Sequence, residues 1–196
     1  RGDEIKILDL FQAVYKKPMR SSYWHWRFEN NPAGKHMVKL MWDNETLVGH
    51  YAVSPVFMRI AGRKYLTTLS VSTMTHPAYG GRGIFRVLAE SLYDTLENEK
   101  KVKVIWGFPN TNSHYGFVRH LGWENVGIVH MLSLAITHRK TSATNETLAV
   151  ESFSAESVSL LQSMTERFPV VIERDFEYLH WRYLQHPTQK YTVFEQ

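Results

Sequence analysis

The chain has 196 residues, of which 43% are hydrophobic and 21% charged, a composition typical of a globular domain with a packed core. It contains no cysteine, which excludes disulfide bonds, thiolate metal sites and cysteine nucleophiles; a reducing, cytoplasmic location is therefore expected. The net charge of +4 suits an anionic ligand and is too small to indicate nucleic acid. No apolar run is long enough to span a membrane, and the first residues lack the apolar core of a signal peptide.

Apolar periodicity predicts two helices at the start of the chain, Ile5–Tyr15 and Ser21–Phe28. The β-rich runs that follow are joined by short polar links, which are typical of antiparallel hairpins. The strands predicted in this way are Met37–Trp42, Thr46–Val53, Val56–Ile60 and Lys64–Thr75.

The next part of the chain predicts strand, helix and strand in succession. Ile84–Asn98 carries apolar residues at every fourth position and is predicted to be an amphipathic helix, and Val102–Phe108 is a continuous apolar run typical of a buried strand. Such an order favours a parallel strand pair with a right-handed crossover. The remaining predicted elements are a helix at Asn112–Leu121, a strand at Val126–Ile136 and a helix at Ser157–Arg167.

The segment that joins the first strand of this unit to its helix is rich in glycine and reads His76-Pro77-Ala78-Tyr79-Gly80-Gly81-Arg82-Gly83-Ile84-Phe85. Glycines let the backbone approach an anion closely, and the free N–H groups of a helix's first turn point at it with the positive end of the helix dipole behind them. This pattern predicts a pyrophosphate site. Arg82 and Arg86 are interpreted either as phosphate ligands or as solvated surface charges.

A short motif occurs twice. Tyr23-Trp24-His25-Trp26-Arg27-Phe28 returns as Tyr178-Leu179-His180-Trp181-Arg182-Tyr183, with an offset of 155 residues that also relates Pro32 to Pro187. A helix precedes the motif and a strand-like run follows it in both copies, which favours a duplication cut short at Gln196 over a locally reused packing unit. The domain organisation expected is 1–140 as one domain, 141–152 as a linker and 153–196 as the start of a second, related repeat.

The tryptophan and histidine residues allow several interpretations. The Trp–Arg clusters of the two motif copies are either stacking platforms for bases or sugars, or core anchors, and the helical spacing favours the core. The histidines lack convincing metal-ligand spacing, so no metal is expected.

The glycine-rich turn and its leucine-bearing helix resemble motif A of the GCN5-related N-acetyltransferases (GNAT). The stretches Trp106–Ser113 and Gly116–Trp123 resemble the motif B that follows it. The resemblance covers roughly residues 1–136 and implies an α/β (mixed α+β) fold. That fold has a central mixed sheet, with antiparallel N-terminal strands and a parallel strand–helix–strand unit flanked by helices.

The resemblance also implies a set of coenzyme A contacts. Backbone groups of the strand end would pair with the pantetheine arm, the turn would cradle the pyrophosphate, and two asparagines after the next strand would face the cofactor. Carried over by position, these residues are Met74, Thr75, His76, Gly80, Gly81, Arg82, Gly83, Ile84, Phe85, Arg86, Asn110 and Asn112.

The chain departs from the family pattern at three positions. Gly80 and Phe85 replace the first and last residues of the motif A signature, so the first helical turn either shifts or buries the Phe85 ring. Val118 stands where the family usually has the tyrosine that protonates the leaving thiolate, and Tyr115, nearly one turn earlier, is the predicted substitute. Because the strand before the turn has no carboxylate, His76 is the predicted base, with His114 or water as alternatives.

The function expected from the resemblance is transfer of an acetyl group from acetyl-coenzyme A to a small-molecule amine. An amino sugar is preferred over a peptide amine as the acceptor. The alternative is a non-catalytic module of the same fold that binds coenzyme A or a protein partner. Neither interpretation requires nucleic acid or a membrane, and a homodimer is compatible with both.

Overall fold

The computed structural model describes residues 2–133 and 148–195. Its helices are α1 (Glu4–Tyr15), α2 (Ser21–Phe28), α3 (Ile84–Asn98), α4 (Thr111–Leu121), α5 (Ala155–Thr165) and α6 (Phe176–Leu179), with a 3₁₀ turn at Pro77–Tyr79 and a π-helical turn at His180–Leu184. Its strands are β1 (Met37–Asp43), β2 (Thr46–Ile60), β3 (Arg63–Thr75), β4 (Ile105–Trp106), β5 (Leu148–Val150), β6 (Val170–Ile172) and β7 (Val193–Glu195).

A mixed sheet organises the first part of the chain. Strands β1, β2 and β3 pair antiparallel in chain order, and β4 pairs parallel to β3 after the α3 crossover. Strand β6 pairs antiparallel with β2 at Met58–Ile60, beyond the part of β2 that β1 covers. The predicted fold class is confirmed: a central mixed sheet with antiparallel N-terminal strands and a parallel β–α–β unit, flanked by helices.

Helices cover both faces of this sheet. Leu47 of β2 belongs to a buried cluster with α1 and α2, and its neighbour Val48 belongs to another with α3 and α4. Successive side chains of a strand point to opposite faces, so the two clusters lie on opposite sides of the sheet. No helix in the described ranges is long and apolar enough to cross a membrane.

The two strands predicted at Thr46–Val53 and Val56–Ile60 are one strand. Pairing with β3 continues through Pro55, and the Asn31 amide donates a hydrogen bond of 3.0 Å to the Pro55 carbonyl from the other edge. In a strand the N–H and C=O of one residue point to the same side, so the N–H that proline lacks would also face this edge. Since β1 pairing ends at Val53 and β6 pairing begins at Met58, no ladder hydrogen bond is lost.

Two other strand predictions are wrong in extent. Of Val102–Phe108, only β4 is a strand, because its ladder with β3 covers two residue pairs and then opens. Residues 126–133 of the predicted strand Val126–Ile136 form no strand, and 134–136 lie outside the described residues. Val126 and Ile128 are exposed, and no strand among the described residues pairs with this apolar stretch.

The predicted linker 141–152 is described only in its last part. Residues 141–147 lie outside the described residues, whereas Leu148–Val150 forms β5 and pairs antiparallel with β7. Helix α5 begins after Ser154, whose hydroxyl accepts a hydrogen bond from the Ser157 N–H. The boundary between the two predicted domains stays a prediction.

Gly49 sets the distance between β2 and α3. A Cβ at this position would clash with Ile84 Cγ2 and would lie 2.9 Å from Leu88 Cδ1. Both side chains belong to the buried stripe of α3, so only glycine allows the helix to pack this closely. The close approach fixes where the first turn of α3 lies relative to the sheet.

We expect Gly49→Ala to lower the free energy of unfolding by about 1–3 kcal/mol, because the added methyl group overpacks the contact with Ile84 and Leu88. Chemical denaturation measures this loss. Gly127→Ala is the matched control, since a Cβ there meets nothing within 4 Å. Equal stability of the two variants would contradict the close packing of α3 on Gly49.

Candidate active site

A cleft opens where β3 and β4 separate. The two strands pair only at Thr68–Ile105 and Leu69–Trp106. Beyond these pairs they form the walls of a cleft of about 520 Å³, lined by Ser70, Val71, Ser72, Thr73 and Thr75 on one side and by Gly107, Phe108, Pro109 and Asn110 on the other. Backbone groups that a continuous ladder would use are therefore available to a ligand in the gap.

A β-bulge shapes the β3 wall of the cleft. Between the pairs His50–Met74 and Ala52–Val71, β3 carries one residue more than β2, and Ser72 adopts a positive φ of 52°. Such a bulge bends the strand and takes local backbone groups out of the ladder. The bulge thus turns β3 away from regular pairing where it borders the cleft.

Two side chains hold the bulge in place. The His50 ring lies with Nδ1 2.7 Å from the Ser72 carbonyl oxygen, and the Tyr15 hydroxyl donates a hydrogen bond of 3.0 Å to the Thr73 carbonyl oxygen. Tyr15 belongs to α1 and also lines the cleft. Both carbonyls that the bulge frees are therefore satisfied by side chains, which stabilises this backbone conformation.

His50 is neutral in the folded protein. Its residue is 2% exposed, and burial lowers the pKa of the imidazole to about 4, although the hydrogen bond to the Ser72 carbonyl opposes this shift. Because a carbonyl oxygen only accepts, the neutral ring carries its proton on Nδ1. The other ring nitrogen is left without a proton.

A hydrogen-bonded network of side chains lies behind the cleft. Ser70 Oγ donates to the Tyr51 hydroxyl at 3.1 Å, and Tyr51 and Tyr93 share a hydrogen bond of 2.9 Å. Trp123 Nε1 donates to the Tyr93 hydroxyl at 2.9 Å. Burial raises the pKa of both tyrosines, so they stay protonated at neutral pH. Ser70 and Trp123 line the cleft, and the network therefore fixes part of its lining.

The glycine turn has the backbone expected of an anion cradle. Gly81 and Gly83 have positive φ angles of 75° and 73°, and a Cβ at either position would meet nothing within 4 Å. The Val87 N–H donates to the Gly83 carbonyl at 3.1 Å, and Gly83 has no side chain to cap the helix. The N–H groups at 84–86 therefore have no intrahelical acceptor.

The two arginines of the turn have different surroundings. The Arg82 guanidinium lies over the Tyr79 ring, 4.6 Å from its centroid, and the Tyr79 hydroxyl donates to Asp43 at 2.6 Å. Arg86 pairs with Glu90, with 2.7 Å between Nε and the carboxylate oxygen. Arg82 is thus the arginine that remains available to an anion at the turn.

The structure brings only some of the predicted cofactor residues to the cleft: Thr75, Phe85, Asn110 and Asn112 line it. Met74 and Ile84 are buried in the two hydrophobic clusters instead. The His76 N–H donates to the Val48 carbonyl at 2.8 Å, so it is not available to a ligand. The remaining predicted residues, Gly80, Gly81, Arg82, Gly83 and Arg86, lie in the turn and the first turn of α3.

Neither residue predicted to transfer protons lines the cleft. Tyr115 is 64% exposed, and its ring packs against His120 with 5.6 Å between the ring centroids. The His76 Nδ1 accepts a weak hydrogen bond of 3.3 Å from the Ala78 N–H. The hydroxyl side chains that do line the cleft are Tyr15, Ser70, Ser72, Thr73, Thr75 and Ser113.

Phe85 fits beside the cleft because the residue facing its ring on α4 is a glycine, Gly116. Its ring lies 5.0 Å from Phe117 and 5.9 Å from Tyr51, and a Cβ on Gly116 would come within 2.8 Å of it. The glycine in α4 therefore makes room for the phenylalanine in α3. The ring packs into the core beside the cleft, which is one of the two outcomes expected from the sequence.

Asn110 organises the second wall. Its side-chain oxygen caps α4 and accepts hydrogen bonds from the N–H groups of Asn112 and Ser113, at 3.0 and 3.1 Å. The capped helix begins at the mouth of the cleft.

Within the described ranges, no group of three or more histidine and carboxylate side chains is arranged to hold a metal ion.

Comparison with known proteins identifies a family. A family model described as an acetyltransferase (GNAT) domain matches residues 1–126. None of the curated proteins compared with the chain matches it.

Solved structures that match with TM-scores above 0.5 have a similar fold. A putative acetyltransferase from Agrobacterium tumefaciens C58 is 13% identical with a TM-score of 0.54, over 68% of this chain and 94% of that one. An acetyltransferase from Trypanosoma brucei is 16% identical with a TM-score of 0.51, over 67% of this chain and 93% of that one. A probable N-acyltransferase from Enterococcus faecalis V583 is 17% identical with a TM-score of 0.49, and the match spans 58% of this chain but only 28% of that one.

The buried His50 makes stability depend on pH. Its pKa is about 4 in the folded protein against an ordinary 6.5, so the unfolded chain binds more protons between these values. The free energy of unfolding is therefore expected to fall as the pH is lowered from about 7 to about 4.5, with about 2–3 kcal/mol of the loss due to His50.

Urea unfolding at both pH values, with His50→Gln as the matched variant, isolates this contribution. Glutamine keeps an N–H donor for the Ser72 carbonyl but does not titrate, so the variant should lose less stability over the same range. The same pH dependence in both proteins would show that His50 is not buried in its neutral form.

Proposed function

Because the chain belongs to the GNAT acetyltransferase family, whose domain model covers residues 1–126, we propose that it transfers an acetyl group from acetyl-coenzyme A to an amine. One observation carries the proposal: the cleft between the separated strands β3 and β4 and the glycine turn with free helix N–H groups belong to the same strand–turn–helix unit. A long ligand with a polar arm and an anionic end fits this arrangement.

The residues present suit coenzyme A on two counts. Open space surrounds Gly81 and Gly83, where a pyrophosphate can approach the backbone of the turn. The cleft of about 520 Å³ is within the usual range for ligand sites of about 300–1,000 Å³. Acetyl-coenzyme A, when bound, supplies an activated thioester and a thiolate leaving group.

The chain's own residues perform the binding and positioning. The N–H groups at 84–86 and the Arg82 guanidinium bind the anionic end. Tyr15 and His50 hold the bulge, so that the β3 backbone at Ser72 and Thr73 keeps one orientation toward the cleft. A backbone N–H group fixed in this way can polarise a thioester carbonyl without reorganising during the reaction.

We keep an amino sugar as the preferred acceptor class. The described lining residues contribute hydroxyl and amide groups, including Ser113 and Asn112, and no carboxylate. Hydroxyl and amide groups suit the several hydroxyls of a sugar, which a lysine or N-terminal amine does not carry.

The alternative function is a coenzyme A-binding module without catalysis. Val118 at the position of the family's usual tyrosine and the absence of a carboxylate among the described lining residues favour it. Calorimetry with acetyl-coenzyme A and thiol release with a panel of amino sugars separate the two. Binding with thiol release supports the enzyme, binding alone supports the module, and no binding at millimolar ligand contradicts both.

We expect Gly83→Ala to weaken acetyl-coenzyme A binding at least about tenfold, because a methyl group at this positive φ strains the turn and fills the space beside the free N–H groups. Gly62→Ala is the matched control: its φ of 78° is equally restrictive and its Cβ also meets nothing, but it lies in the β2–β3 hairpin. Calorimetry on both variants gives the affinity. Equal weakening would show that backbone strain, and not the cradle, is responsible.

A pair of tyrosine variants tests the chemistry. Tyr15→Phe removes the hydrogen bond that holds the Thr73 carbonyl and should lower acetyl transfer about tenfold with little change in affinity for acetyl-coenzyme A. Tyr115→Phe makes the same chemical change outside the cleft and should alter transfer less than about twofold. Steady-state thiol release measures both. A large loss in Tyr115→Phe alone would instead support Tyr115 as the proton donor predicted from the sequence.

A further inference from the structure

The two copies of the repeated motif contact each other in the folded chain. Trp26 of α2 and Trp181 of the π-helical turn are stacked, with 4.6 Å between ring centroids and 13° between ring planes. They are 155 residues apart, which is the offset between the two motif copies. The repeated residues are thus packed on one another.

The contact is reciprocal. Trp26 Nε1 donates to the Trp181 backbone carbonyl at 2.8 Å, and Trp181 Nε1 donates to the Trp26 backbone carbonyl at 2.9 Å. The two residues are also buried alike, at 4% and 5% exposure. When each of two residues makes the same hydrogen bond to the other, the contact is isologous, which is typical of twofold symmetry.

Each tryptophan also has a tyrosine neighbour at the matching position of its motif. Tyr23 lies 5.4 Å from Trp26, and Tyr178 lies 5.9 Å from Trp181, as measured between ring centroids. Upstream, each motif follows a helix of similar length, α1 in one copy and α5 in the other. The same offset relates Val38 in β1 to Val193 in β7, so the correspondence continues into the next strand.

We propose that residues 148–195 are a second copy of the unit that opens the GNAT domain, and that the copies are joined by an isologous contact between Trp26 and Trp181. The partner of the α2 surface is therefore a duplicate of that surface on the same chain. A packing unit reused by chance would not be expected to meet its counterpart through the same residues. This inference does not depend on the proposed acetyl transfer.

The second copy differs from the first in one segment. Between α5 and α6 it inserts β6, whereas the shorter link between α1 and α2 forms no strand. Strand β6 joins the edge of β2, and Arg59 pairs with Glu173 beside it, with 2.6 Å between Nε and the carboxylate oxygen. The second copy therefore also extends the sheet of the first.

The first experiment measures symmetry in solution. The chain has no cysteine, so paired cysteine variants can be spin-labelled specifically. Ser22 and Asn30 are exposed, as are the positions that correspond to them, Glu177 and Gln185. Under the proposed twofold relation, the distance in Ser22→Cys/Gln185→Cys equals that in Asn30→Cys/Glu177→Cys. Agreement of the two mean distances within about 5 Å supports the proposal, and a larger difference overturns it.

The second experiment tests the reciprocal hydrogen bonds. Trp26→Phe and Trp181→Phe each remove one indole donor to a buried carbonyl, and each should lower the folding equilibrium constant about tenfold. Trp24→Phe is the control on the same helix, because the buried Trp24 Nε1 has no hydrogen-bond partner among the described residues. A small effect there with similar losses in the other two supports the reciprocal contact. Unequal losses in Trp26→Phe and Trp181→Phe, or no loss in either, overturn it.

Discussion

The bulge at Ser72 is the feature that shapes the β3 wall of the cleft. The extra residue takes the Ser72 and Thr73 carbonyls out of the ladder with β2, on the strand that forms one wall of the cleft. Carbonyls that leave a ladder need other donors, and His50 and Tyr15 supply them from β2 and α1. Burial of His50 then requires a neutral imidazole, which lowers its pKa to about 4. One backbone irregularity thus accounts for both the shape of this wall and a buried titratable group.

Features encoded by neighbouring residues were predictable from the sequence. The helix at 84–98 follows from its apolar stripe, and the turn before it follows from glycines that adopt positive φ. The two N-terminal helices have the predicted ends within one residue. Two strands were predicted on either side of Pro55 where the structure has one. Local propensity does not show that the N–H missing from this proline faces an unpaired edge. The length of β4 could not be predicted from its own residues either, because it depends on how far β4 stays paired with β3.

The cleft itself was only partly predictable for the same reason. The turn and Asn110 belong to continuous motifs, whereas Tyr15, His50, Tyr51 and Tyr93 come from three separate elements and meet only in the folded chain. No spacing in the sequence marks them, because each pairs with a backbone group or side chain far along the chain. Tyr115 illustrates the converse: its spacing suggested a role, but the helix directs its ring toward His120 and solvent.

The repeat contact and the cleft are supported by the same layer of helices. Trp26 and Trp24 lie on α2, and Trp24 packs with Leu10 of α1 in one buried cluster. The same helix α1 ends at Tyr15, which is in ring contact with Phe11 at 4.6 Å and holds the bulge. A contact that fixes α2 against Trp181 therefore also restrains the helix that carries Tyr15. Under the proposed duplication, the second copy supports α1 through α2, and it contributes none of the described lining residues of the cleft.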